Sequence, residues 1–128
     1  MSVNEKQMAA ILALSPPKRY SHFIKKVVGW DEVWGLYDDG WATSESPDGR
    51  LVMPLWPEKE YAERCIEGEW SEFTALPMDL DMLLNQFIPN LREQNILPGI
   101  FFDPEIGSIN CSLDDLERDL KDELEKYI

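Results

Sequence analysis

The pair Asp39-Gly40 sits between two short runs of strand-forming residues, Val33-Trp34-Gly35-Leu36-Tyr37 and Trp41-Ala42-Thr43-Ser44. Such a pair between β-rich runs is a strong hairpin signal, because the tight turns that suit twisted strands need positive φ at their centre. A second turn, Pro47-Asp48-Gly49, leads into Arg50-Leu51-Val52-Met53-Pro54-Leu55. Residues 33–55 therefore read as a three-stranded antiparallel meander. Pro54 has no N–H to give a neighbour, which puts the last strand at an edge or near its end. Hairpins this close together argue against a doubly wound parallel sheet, whose strands need long crossovers.

Helical periods flank the meander. Ser2 followed by Glu5 is a capping-box pattern that opens a helix over residues 3–14, ended by Ser15-Pro16-Pro17. Pro17 suits the first turn of a second helix, in which Tyr20, Phe23, Ile24, Val27 and Val28 share one face. The opposite face carries Lys18, Arg19, His22, Lys25 and Lys26, and Gly29 stands where a helix should stop. Beyond the meander, Pro57 opens a helix through Tyr61, Ala62, Cys65 and Ile66, with Gly68 as its stop and a short strand over 72–76. Asp79 caps a helix with Leu80, Leu83, Leu84, Phe87, Ile88 and Leu91 in register, and Pro89 inside it predicts a kink. Residues 99–102 and 108–111 read as a hairpin. Ser112 with Asp115 opens a last helix carrying Leu113, Leu116, Leu120 and Leu124.

This order predicts an α+β fold, a mainly antiparallel sheet built from the meander and the hairpin, with helices packed largely on one face. Neither a repeat nor a linker interrupts it, so residues 1–128 read as a single domain. That domain divides by charge. Residues 1–29 hold five basic side chains against one acid, +4, and the remaining residues hold seven against 24, −17, giving the net −13. The expectation is a basic N-terminal helical pair, 3–28, on an acidic α+β body, 30–128. An acidic body repels phosphate backbones and anionic membrane surfaces, so nucleic acid and membrane are unexpected partners. The start carries Asn4, Glu5, Lys6 and Gln7 ahead of a short apolar stretch and does not read as a signal peptide. A cytoplasmic protein with Cys65 and Cys111 reduced is expected.

Motifs with dedicated chemistry are not found in the chain. His22 is the one histidine, the cysteines lack the paired spacing of structural zinc, and neither a P-loop, a G-x-G-x-x-G nor a G-x-S-x-G occurs. No cofactor, metal or catalytic residue is expected. Asp38, Asp39, Glu45 and Asp48 read as solvated turn residues, and Cys65 as a buried thiol on an apolar helix face. The tryptophans say more: four of the five, Trp30, Trp34, Trp41 and Trp56, fall within residues 30–56. They are either the core of a small sheet or an aromatic binding surface beside the acids.

The run Trp30-Asp31-Glu32-Val33-Trp34-Gly35-Leu36-Tyr37-Asp38-Asp39-Gly40-Trp41-Ala42, preceded by Lys18-Arg19-Tyr20 and Phe23 and followed by Pro54-Leu55-Trp56-Pro57 and Tyr61-Ala62, resembles the bacterial family catalogued as domain of unknown function 2750. The resemblance implies a small bacterial cytoplasmic domain and no particular catalysis. The segment from Val52 to Tyr61 is also similar to the corresponding part of SseB-like domains, some of which are associated with secretion or toxin-immunity systems. The leading functional expectation is a non-enzymatic interaction module that binds a basic protein in a regulatory or toxin-immunity-like role, its oligomeric state open. The candidate contact residues are Trp34, Asp38, Asp39, Trp41 and Trp56. The alternative is a small-ligand binder or enzyme with a pocket lined by Trp34, Trp41 and Trp56 and anchored by Asp31 or Asp38. A mimic of DNA is a third reading of the same acidity.

Overall fold

The computed structural model describes residues 4–127. Helix α1 (Glu5–Leu12) is capped by Asn4, whose side chain accepts from the Gln7 N–H at 2.8 Å while Gln7 Oε1 accepts from the Asn4 N–H at 3.2 Å. The expected box thus exists two residues further on, since Asn caps as well as Ser and Gln serves as well as Glu. Ser2 and Val3 lie outside the described residues. Helix α2 (Pro16–Trp30) starts on its proline pair and buries Phe23, Ile24, Val27 and Val28. Arg19, expected on the solvated face, is buried: its Nη1 donates to the carbonyls of Leu12 and Leu14, at 3.2 and 3.1 Å, and closes the α1–α2 corner.

Gly29 does not end α2. The helix runs on to Trp30, and Asp31 takes the left-handed conformation at φ 55°. Asp tolerates that region better than most residues, and here its Oδ1 accepts the Leu80 N–H at 3.0 Å. A contact across 49 positions of sequence therefore decides where the helix stops.

The meander is not formed. Strand β1 (Val33–Tyr37) pairs antiparallel with β4 (Thr74–Met78), in register Val33 to Met78 through Tyr37 to Thr74, as a separate two-stranded sheet. After Tyr37, Asp39 and Gly40 both have positive φ, and the loop spans three residues to a single Tyr37–Trp41 bridge before the pairing ends. The returning segment contributes only β2 (Ser44–Glu45), which pairs with β3 (Leu51–Leu55). Strand β3 then runs parallel to β5 (Leu97–Asp103), and β5 pairs antiparallel with β6 (Gly107–Asn110), for an order β2-β3-β5-β6. The architecture is α+β and mostly antiparallel, but the larger sheet is mixed. Pro54 is tolerated because it lies between Val52, opposite Ser44, and Trp56, opposite Trp34, where the partner along that edge changes.

The two sheets meet at one antiparallel bridge. Trp34 N–H donates to the Trp56 carbonyl at 2.8 Å, and Trp56 N–H returns a bond to Trp34 at 2.9 Å. Short α3 (Lys59–Glu63) follows directly, far shorter than the helix expected to Ile66, and contacts β1 and β4. Asp79 caps α4 (Leu80–Met82), as expected, through the Met82 N–H. The kink foreseen at Pro89 is a π turn over Leu83–Phe87 that continues into α5 (Ile88–Gln94), with Ile88 N–H bonded to Leu83 O, five residues back. The wider turn suits a proline that has no N–H and crowds the carbonyl four residues before it. Helix α6 (Leu113–Glu125) is capped by Ser112 through the Asp115 N–H at 3.0 Å and buries Leu113, Leu116 and Leu120. It packs on α2 and α5, both of which also contact β5.

One apolar cluster runs from Met8 to Leu120, with Trp56, Phe23 and Phe101 its largest fully buried members. Trp41 joins its edge by lying on Gly35, where an added Cβ would come within 2.9 Å of the indole. Gly35→Ala is expected to displace that ring from Tyr37 and Phe87 and to cost about 1–3 kcal/mol, the usual scale for overpacking. A urea midpoint equal to that of the wild type would show that the ring is not held there.

Candidate functional site

A cleft of about 560 Å³ opens between α1, α2, the start of β1 and the turn into α3. Residues four apart on a helix share a face, so His22, Lys26 and Trp30 of α2 form one wall, and Gln7, Ala10 and Ile11 of α1 form the next. Glu32 and Trp34 follow the Asp31 reversal. The opposite wall is the segment from Pro57 to Tyr61, which begins immediately after Trp56. The seam between Trp34 and Trp56 thus sets both walls that do not come from helices α1 and α2.

The cleft brings an indole near a carboxylate at two places. At one, Lys26 Nζ lies 5.4 Å from the centre of the Trp30 ring and 3.8 Å from Glu58 Oε1, so an ammonium is held between an aromatic face and an acid. At the other, the Trp34 indole N–H donates to Glu32 Oε1 at 2.7 Å. Among the described residues no lysine or arginine is ion-paired with Glu32. Trp30 is 58% exposed, at the rim.

Two residues that line the cleft, His22 and Tyr61, each hold a buried polar atom, Nε2 and the hydroxyl, with no hydrogen-bond partner among the described residues. Tyr61 itself is only 2% exposed. Their rings rest on Phe101, with centroids 6.0 Å away for His22 and 4.9 Å for Tyr61. Phe101 is fully buried at an irregularity in β5 with φ 58°, a conformation rare for a bulky side chain and costing about 1–3 kcal/mol. Burial first, and then Lys26, hold the His22 pKa below its ordinary value, so the ring is neutral at pH 7. Burial, reinforced by Glu58 and Glu60, raises that of Tyr61 and keeps the phenol protonated. Burial also raises the Glu58 pKa, against the pull of Lys26.

The sequence-derived candidates scatter. Trp34 lines the cleft. Trp41 lies on the Gly35 side of β1, half-buried against Tyr37 and Phe87 with centroids at 5.2 and 5.3 Å. Trp56 is in the core, its indole N–H donating to the Phe102 carbonyl at 2.7 Å, and offers no surface to a ligand. Asp38 and Asp39 are exposed at the loop beyond β1, away from the cleft lining, and Asp31 is engaged by the Leu80 N–H. Cys65 and Cys111 have pKa values raised by burial to about 12, which leaves their thiols protonated. His22, Lys26 and Tyr61 were not foreseen as site residues. The four-residue spacing of His22, Lys26 and Trp30 is the available signal, but the sequence places His22 and Lys26 on the polar face of the helix and Trp30 in the tryptophan cluster that follows it. Among the described residues no group of three His, Cys, Asp or Glu side chains gathers as a metal site, and no helix is long and apolar enough to cross a membrane.

The fold and cleft define a small α+β domain with an aromatic, mixed-charge recess at the junction of two sheets and a helical corner. The chain belongs to the family described as protein of unknown function (DUF2750), whose model matches residues 20–120. Among curated proteins none matches the chain.

A half-buried histidine with a lowered pKa binds fewer protons folded than unfolded. Its contribution is therefore complete above the ordinary pKa of 6.5 and is lost as pH falls through that range. Glu58 acts with the opposite sign, because its raised pKa means that the folded state takes up the proton first. Comparison with His22→Gln isolates the histidine: between pH 7.5 and 5.5 the Tm of the wild type should fall more than that of the variant. Parallel Tm profiles would remove the assignment.

Proposed function

We propose that the chain is a small-molecule-binding module whose ligand occupies the cleft between α1, α2 and the turn into α3. The observation that carries this reading is the pair of unpartnered buried polar atoms, His22 Nε2 and the Tyr61 hydroxyl. Leaving such groups without hydrogen bonds costs about 1–3 kcal/mol each, a cost with no structural return that a ligand's polar groups would offset. Aromatic and apolar walls around a few convergent polar groups are the usual composition of such a site. Nothing in the geometry assigns a reaction to it.

Tyr61→Phe separates the two roles a buried hydroxyl can have. If the hydroxyl serves a ligand, its removal should leave the free protein as stable or more stable, by about 1 kcal/mol and a few degrees of Tm. The same variant should lose the thermal shift that a metabolite library produces in the wild type. Destabilisation of the free variant by more than 1 kcal/mol, with ligand response intact, would contradict this reading.

A second reading, binding of a basic protein, is supported by a specific surface. Asp38 and Asp39 are exposed beside Tyr37, and among the described residues neither takes part in an ion pair. The acids of α6 favour it less, because Arg92, Arg118, Lys121 and Lys126 already pair with Asp114, Asp115, Glu117, Asp119 and Glu123. A partner held at the loop should be basic, should dissociate as salt rises, and should be weakened by the double variant Asp38→Asn, Asp39→Asn. Capture that is insensitive to salt in a pull-down and unaffected by this variant speaks against it.

A further inference from the structure

We infer that the ligand of the cleft is an organic ammonium, bound with its positive charge over the Trp34 ring and beside Glu32 and with its apolar body against Ala10, Ile11 and Pro57. This rests on the reading of the cleft as a ligand site and adds the chemical class. The cleft contains its own precedent: the Lys26 ammonium lies over the Trp30 ring and is ion-paired with Glu58. Trp34 and Glu32 also bring an indole and a carboxylate together in the same recess, here with the acid at the ring's edge, where one carboxylate oxygen accepts the indole N–H at 2.7 Å. The bond holds Glu32 beside the ring, and among the described residues its second oxygen has no side-chain donor and no lysine or arginine is ion-paired with it.

The remaining charges agree. Among the described residues three carboxylates line the cleft, Glu32, Glu58 and Glu60, against two lysines. Lys26 is committed to Glu58, and Lys59 pairs with Glu63, outside the lining, at 4.0 Å. An anionic ligand would have to take Lys26 from its existing partners; a cationic one meets a lining in which, among the described residues, carboxylates outnumber lysines. His22 and Tyr61 are both uncharged in the folded protein at pH 7, so neither repels an ammonium. A net charge of −13 further concentrates small cations around the whole molecule.

The test uses three probes with one ring and different charge, namely benzylamine, benzyl alcohol and benzoate, titrated into the full chain. Each titration is followed through the tryptophan indole resonances, with that of Trp34 assigned by Trp34→Phe. Benzylamine should shift the Trp34 signal and bind more tightly than the other two. Glu32→Gln retains an acceptor for the indole N–H but removes the charge, and should weaken benzylamine about tenfold while leaving benzyl alcohol unchanged. Equal or tighter binding of benzoate or benzyl alcohol at Trp34 overturns the ammonium assignment and leaves the cleft a ligand site. Benzylamine affinity unchanged in Glu32→Gln also overturns it. Failure of all three probes to move any cleft resonance, while the variants remain folded by their indole dispersion, overturns the assignment and counts against the ligand-site reading as well.

Discussion

The reciprocal backbone bonds between Trp34 and Trp56 are the constraint on which the rest of the molecule depends. Among the described residues they are the one bridge between the two-stranded and four-stranded sheets, and the buried Trp56 ring anchors the same point to β5 through its bond to Phe102. From that junction the chain leaves in two directions that matter. Trp34 stands at the beginning of β1, and the segment from Pro57 to Tyr61 begins one residue after Trp56. The cleft is the space between these two departures, closed by the helical corner of α1 and α2. An interior tryptophan with its N–H satisfied is rigid, which suits a position from which two walls of a recess are set.

Charge follows the same geometry. The basic N-terminal region does not stand apart from the acidic body: Lys26 pairs with Glu58, and the Tyr20 hydroxyl donates to Asp119 at 2.7 Å. Arg19 is spent on main-chain carbonyls of its own corner. The acids of α6 are interleaved with cations on the same helix and on α5, leaving less unbalanced negative surface there than the composition suggests. Exposed pairs of this kind contribute little stability, about 0–1 kcal/mol each, but they do cancel field.

Local signals were legible. Asp79 and Ser112 cap the helices they were expected to cap, because an N-cap acts within three residues of itself. The hairpin of β5 and β6 and the distortion ahead of Pro89 were likewise expressed over a few neighbouring residues. The meander was not. Asp39 and Gly40 do adopt the positive φ that the turn requires, yet β1 takes β4 as its full-length partner, and β3 takes β5 in parallel. Those partners lie dozens of residues downstream, where turn chemistry carries no information.

The site divides along the same line. By itself the sequence determined an α+β chain with amphipathic helices, an acidic body, a cluster of tryptophans and membership of its family, since period, capping, composition and motif order all act locally or in sum. Only the tertiary structure decided which tryptophan faces what. Trp56 went to the core, Trp41 onto Gly35, and Trp34 to a cleft with Glu32. It also turned the polar face of α2, with His22 and Lys26, from a solvated surface into a wall. The physical reason is that burial of a side chain depends on which strands pair and which helix lies across them. That choice is made by long-range backbone hydrogen bonds, which any alternating sequence can form with several partners.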